Sequence, residues 1–208
     1  MKRVLILIAC AALLVPFGAA QAKKTAVSCA GVLAKNHHTL GAPKTQTDGA
    51  CKIHTKNGFP MPDASCTPGA INPTVTLDVL KSPGFRTSCV RDKIESEAKK
   101  HEAYGWYSLQ APADNKGNSM TCELDHLVPL ELGGADSMDN IWPQCGPDKV
   151  TLKERYFKQK DLVEMYLAGQ VRSGAMDMAT AQRAIAKDYT QFLSAAKKYC
   201  AANSCGAK

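Results

Sequence analysis

Two cysteines, Cys122 and Cys145, stand just outside a stretch whose pattern leaves little choice of local structure. Leu124, Leu127, Val128 and Leu130 surround Asp125 and His126, which predicts a short buried strand with Pro129 as a bulge or strand end. Gly133-Gly134 marks a turn or flexible loop. Asn140-Ile141-Trp142 predicts a second short strand, stopped by Pro143, and a helix over about residues 152–168 completes the unit. The cysteines lie nearly symmetrically about the Gly-Gly loop, so a Cys122–Cys145 bond would clamp the base of a hairpin. A polar triplet of Asp125, His126 and Asn140 is thereby carried on strand–loop–strand.

The other cysteines bear on the compartment. Residues 1–22 have the parts of a secretory leader: Lys2 and Arg3, an apolar run from Val4 to Leu14, and Ala20-Gln21-Ala22 as a small-x-small cleavage site. The mature chain is expected to begin at Lys23. Cys10 is one of nine cysteines and leaves with the leader; the even remainder on an exported chain predicts four disulfides. Cys29 and Cys51, with Cys66, would tie down the N-terminal part. A Cys66–Cys89 bond would close residues 66–91 onto the core, and Cys200 and Cys205 would pair locally. A zinc site is the rival reading, but no Cys-x-x-Cys pair is present.

Three parts follow: the leader (1–22), a Cys-containing accessory segment (23–65) and one domain (66–208). The accessory segment is rich in Lys, Thr, Asn, Gly and Pro, and its His37, His38 and His54 read as surface residues. Val75-Thr76-Leu77 reads as a strand or the entry to a helical turn. Val90, Ile94 and Ala98 predict a helix over 90–103, ended by Tyr104-Gly105-Trp106-Tyr107, whose aromatics pack on the core. Gly169 would cap the helix after the hairpin. A last helix is predicted from about 179 to 201, capped by Asp177 or Thr180. Beyond the leader no stretch is long and apolar enough to span a membrane. The formal charge is +7, two of its cations being in the leader, which is compatible with a polyanion without demanding one.

The stretch around Asp125 resembles the HNH, or His-Me finger (ββα-metal), nuclease motif. The matching residues are Asp125-His126, Pro129, Gly133-Gly134 and Asn140-Ile141, with a fourteen-residue step from His126 to Asn140. The likeness runs from Cys66-Thr67-Pro68-Gly69-Ala70-Ile71-Asn72-Pro73 to about Asp188, where the chain is similar to secreted bacterial HNH-type proteins. It includes a Lys-Asp-x-x-Glu element (Lys160-Asp161-Leu162-Val163-Glu164) and an Ala-Gln-x-x-Ile-Ala element (Ala181 to Ala186). The resemblance implies an α+β fold with the ββα-metal motif embedded in a mostly helical, disulfide-braced domain.

The implied chemistry is metal-dependent hydrolysis of phosphodiester bonds in DNA, and in RNA by the same route, with little sequence specificity. His126 suits the base that takes a proton from water, because imidazole titrates near neutrality. Asn140 suits a positioning role, fixing the ring or binding metal or water. Asp125 is a hard oxygen ligand for a divalent cation, Mg²⁺ first, with Mn²⁺ or Zn²⁺ as alternatives. Adjacent strand residues point to opposite faces, so Asp125 and His126 share a site only where the backbone is distorted. The family's third, helix-borne residue is often a second histidine; here Lys149 stands nine residues past Asn140, and no histidine follows His126. Asp161 is the choice for that ligand, ahead of Glu164 and Glu154. Lys153 and Lys160 belong to the most basic part of the mature chain and are the candidates for phosphate contact.

The protein is thus expected to be exported, periplasmic or secreted, with nucleic acid as its partner and no membrane association after leader cleavage. A periplasmic inhibitor or immunity partner is conceivable, though nothing in the chain identifies one. The alternative is a catalytically inactive exported binding or structural protein on an HNH frame.

Overall fold

The computed structural model describes residues 46–91 and 97–205. The leader, Cys29, His37-His38 and the Ile94 turn of the predicted 90–103 helix lie outside them.

The clamped hairpin forms as an antiparallel pair, β3 (Cys122–His126) with β4 (Ile141–Cys145). An earlier, smaller pair joins β1 (His54–Lys56) to β2 (Phe59–Met61). In the larger pair Cys122 opposes Cys145, Asp125 opposes Trp142 and His126 opposes Ile141. The Cys122–Cys145 disulfide closes its base. β3 ends at His126, before Pro129. β4, however, runs through Pro143 rather than stopping there. In a two-stranded ladder one side of each strand has no partner strand, so a missing N–H there breaks no ladder bond.

The loop between the strands is held as firmly as the strands. Pro129 opens a helical turn over Leu130–Leu132, and Gly133 caps it at φ +78°. Gly134 sits so close to the Val128 carbonyl that a Cβ would lie 1.8 Å from its oxygen. Only glycine permits that approach. The segment over residues 69–72 is sewn to this loop: Asn72 N–H donates to Gly133 O (2.8 Å), Ala135 N–H to Ala70 O (2.9 Å) and Gly69 N–H to Asp139 O (3.1 Å). The Cys66–Pro73 stretch therefore supports the hairpin loop directly.

Helices pack around this unit. α1 (Leu77–Lys81) is capped by Thr76, so Val75-Thr76-Leu77 is a helix entry. α2 (Glu97–Trp106) runs past the predicted end at 103 and carries buried Tyr104 and Trp106 to the core, with buried Tyr107 just beyond it. α3 (Tyr156–Ser173) is the central helix and buries Phe157, Val163, Leu167 and Val171 completely or nearly so. It begins later than predicted, because Thr151 and Glu154 close a capping box around a separate turn, Leu152–Glu154. It ends at Gly174 (φ +79°), not Gly169. Gly169 is a close-approach position: a Cβ there would meet the Tyr199 hydroxyl at 2.4 Å.

The predicted last helix is two, α4 (Met178–Asp188) and α5 (Leu193–Asn203). Asp177 caps α4 by accepting from Thr180 N–H at 2.8 Å. Asp188 breaks the run: its carboxylate accepts from Thr190 N–H and Oγ1 and pairs with Lys56 at 3.1 Å, which starts a new turn. The fold is mixed α+β. Cys51–Cys66 and Cys200–Cys205 are also bonded. The expected Cys66–Cys89 pairing is therefore wrong; Cys66 closes the β1–β2 region instead, and Cys89 is bonded elsewhere. The β1–β2 region packs into the core through Cys51 and Met61. No helix among the described residues is long and apolar enough to cross a membrane.

Candidate functional site

Strand alternation governs the site. Asp125 and His126 are adjacent at the end of β3, both buried, and their side chains part company. His126 turns to the loop, where its Nε2 lies 2.7 Å from Asp136 Oδ1. Lys100, from α2, reaches the same carboxylate at 3.2 Å. Burial pushes the Asp136 carboxyl up, but the hydrogen bond to the His126 ring, the ring's charge and Lys100 outweigh it and hold it at about 2. Asp136 is thus an anion that accepts Nε2–H. The neutral tautomer that fits this bond carries its lone pair on Nδ1, which has no hydrogen-bond partner among the described residues. The His126 side chain keeps 11% of its exposure. An oriented imidazole with an open Nδ1 can take a proton from water or another acid.

Asp125 turns to α3. Its Oδ2 faces the Lys160 ammonium at 2.8 Å. The same Nζ donates to Glu164 Oε1 and to the backbone oxygen of His126, both at 2.7 Å. Lys160 is fully buried. Burial alone would lower its pKa; Asp125 and Glu164 more than offset that and keep the ammonium charged. Burial raises the Asp125 carboxyl, against the pull of Lys160. It raises Glu164 well above the ordinary range, again against Lys160, with Asp125, Glu131 and Asp161 pushing further.

A second lysine serves the outer carboxyls. Lys158 donates to Asp161 at 2.8 Å and lies 3.7 Å from Glu123. Glu123 is pushed up to about 7 by burial and by Asp125 and Asp161, with Lys158 and Lys160 pulling back. Four carboxyl groups thus gather where β3 meets α3, answered by two ammoniums. Beside them runs a groove of about 930 Å³, lined by Asn118, Lys153, Lys158, Asp161 and Leu162 among others, but not by His126.

Asn140 does something other than hold the imidazole. Its Nδ2 donates to Val128 O and Ala135 O, both at 2.8 Å, and its Oδ1 accepts from Val128 N–H at 2.9 Å. It is a fully buried lock on the loop that carries Asp136. Of the remaining candidates, Lys153 is exposed on the groove, as a phosphate contact requires. Lys160 is not on a surface at all, which corrects its expected role in phosphate contact. Asp161 faces Lys158 in the groove, and Glu164 faces Lys160. His54 is exposed in β1, and Glu131 is buried in the loop.

The implied divalent ion does not fit these residues as they are placed. Its first ligand, Asp125, already faces a buried ammonium, and its second, Asp161, faces another lysine. Among the described residues no three of His, Cys, Asp or Glu form a metal-ligand group. Sequence reasoning misses Asp136, the partner of His126. It also misses Lys100, Lys158 and Glu123. No local signal marks Asp136, Lys100 or Glu123, since each acts across a loop or between elements, whereas the Lys158–Asp161 pair is an i, i+3 spacing within α3. Comparison with protein-family models, curated proteins and solved structures yields no match.

Proposed function

We propose that the chain is an exported phosphodiester hydrolase of HNH type that cuts DNA, and RNA by the same chemistry, with little sequence specificity. The observation that carries this reading is the His126–Asp136 pair at 2.7 Å, mounted on a hairpin whose loop Asn140 locks. In this reading β3, β4 and α3 are the ββα unit. Asp136 holds the Nε2–H, and Nδ1 takes the proton from the attacking water as its oxygen bonds to phosphorus; the scissile P–O bond breaks, and the leaving oxygen takes a proton from solvent water. Exposed Lys153 steers the phosphate backbone. No step is routed through a metal, because the residues present do not fit one. The disulfides are compatible with export to the periplasm or beyond.

A second reading, an exported binding protein on the same frame, is favoured by the lysine that fills the space beside Asp125. Digestion of supercoiled plasmid and single-stranded DNA separates the two. Oxidised mature protein would be incubated with Mg²⁺, Mn²⁺, Zn²⁺ or EDTA. Nicking in any arm that is lost in Asp136→Asn supports the hydrolase. A folded protein that retards DNA in a gel but cuts in no arm supports the binding protein.

A further inference from the structure

The cation that the carboxyl cluster demands is already part of the chain. Three oxygens, from Asp125, Glu164 and the His126 carbonyl, surround the Lys160 Nζ at 2.7–2.8 Å. Two of them are carboxyl oxygens and one is a backbone carbonyl, the donor types that Ca²⁺ and Mg²⁺ take. Asp125 and Lys160 are buried, and the Glu164 side chain is 13% exposed. A lysine this deep, donating to the His126 carbonyl and to Glu164 and ion-paired with Asp125, does not extend into solvent or reach a substrate.

We propose that Lys160 is a built-in cation: its ammonium occupies the place between Asp125 and Glu164 that a divalent ion would otherwise take, and it positions the backbone at His126. The inference concerns ion occupancy and stands whether or not the site turns over. Lys160 is a positioning residue, acting on His126 through the peptide carbonyl. Its removal leaves three oxygens facing a vacated point. The 2.7–2.8 Å spacing to that point is nearer the ~2.3–2.6 Å of Ca²⁺ than the ~2.0–2.1 Å of Mg²⁺. Lys160→Ala should therefore acquire a divalent-ion site that the natural chain lacks, and should prefer Ca²⁺ to Mg²⁺.

The test is calorimetric titration and thermal unfolding of the full mature, oxidised protein with CaCl₂ and MnCl₂. The natural chain should show no ion uptake that depends on Asp125. Lys160→Ala should bind one ion and gain ~5 °C in Tm at millimolar Ca²⁺, and Lys160→Ala/Asp125→Asn should lose both effects. A folded Lys160→Ala protein that takes up no ion would overturn the proposal. Because removing one member of a buried ion pair can prevent folding, a second measurement uses the natural sequence. Paramagnetic Mn²⁺ added to isotope-labelled protein should leave the NMR signals of Asp125, His126 and Lys160 unbroadened. Selective broadening of those signals would show a metal in the lysine's place and end the idea.

Discussion

At the scale of single residues, the site divides its labour in a way that mutation can separate. Asn140 serves structure. Asn140→Ala strands buried backbone groups of Val128 and Ala135 and should cost about 2–4 kcal/mol in urea unfolding. Asp136 serves the ring. Asp136→Asn should cut the nicking rate at least about tenfold while the protein stays folded. The Asp136 carboxyl also couples stability to pH. Its pKa is depressed from 3.8 to about 2, so its contribution is complete above about pH 4 and disappears as pH falls toward 2. That contribution is on the order of 2 kcal/mol, and the stability gap between the natural protein and Asp136→Asn should close across that window. Glu123 has the opposite sign. Raised to about 7, it favours the fold below about pH 4.5 and loses that contribution as pH climbs through 7. Glu123→Gln should accordingly unfold at a higher temperature than the natural chain at pH 8 and show no such gain at pH 4. Solvent reaches a third of this side chain, so the gain is limited to a few tenths of a kcal/mol.

At the scale of elements, the hairpin was legible because its determinants are local. Cys122 and Cys145 end opposite one another, Gly133 supplies the left-handed cap, and Gly134 supplies the close approach to Val128. Gly134→Ala places a methyl group against that carbonyl and should destabilise by more than ~3 kcal/mol, judged by thermal unfolding. Replacing Cys122 and Cys145 by serine should cost ~2–4 kcal/mol. The helical part was less legible, for tertiary reasons. Gly169 was read as a cap because glycine often ends helices, whereas here it makes room for the Tyr199 ring from α5. The 188–192 break was hidden inside a continuous apolar stripe; Asp188 becomes a cap through Thr190 and through Lys56, which lies far away in sequence. The same reason hid Lys160. From its neighbours it reads as one more lysine on a basic helix, and only the packing of α3 against β3 shows that it is the buried partner of Asp125.

At the scale of the molecule, the Cys51–Cys66 bond, the 69–72 segment and α2 converge on the β3–β4 hairpin, as do α3 and α4. Residues 51–66, the core and the loop are therefore mechanically one support for residues 125–140. Such a support makes sense for a site that must hold a buried imidazole and a buried lysine in register. The measurement that tests this account most directly is the plasmid-nicking rate of oxidised His126→Ala beside the natural protein, with and without added imidazole. The account predicts a loss of roughly 10²-fold or more, with partial recovery in imidazole, in a protein that stays folded at a lowered Tm because Asp136 loses its buried partner. Nicking at the natural rate by the folded His126→Ala protein would contradict it and place the chemistry elsewhere.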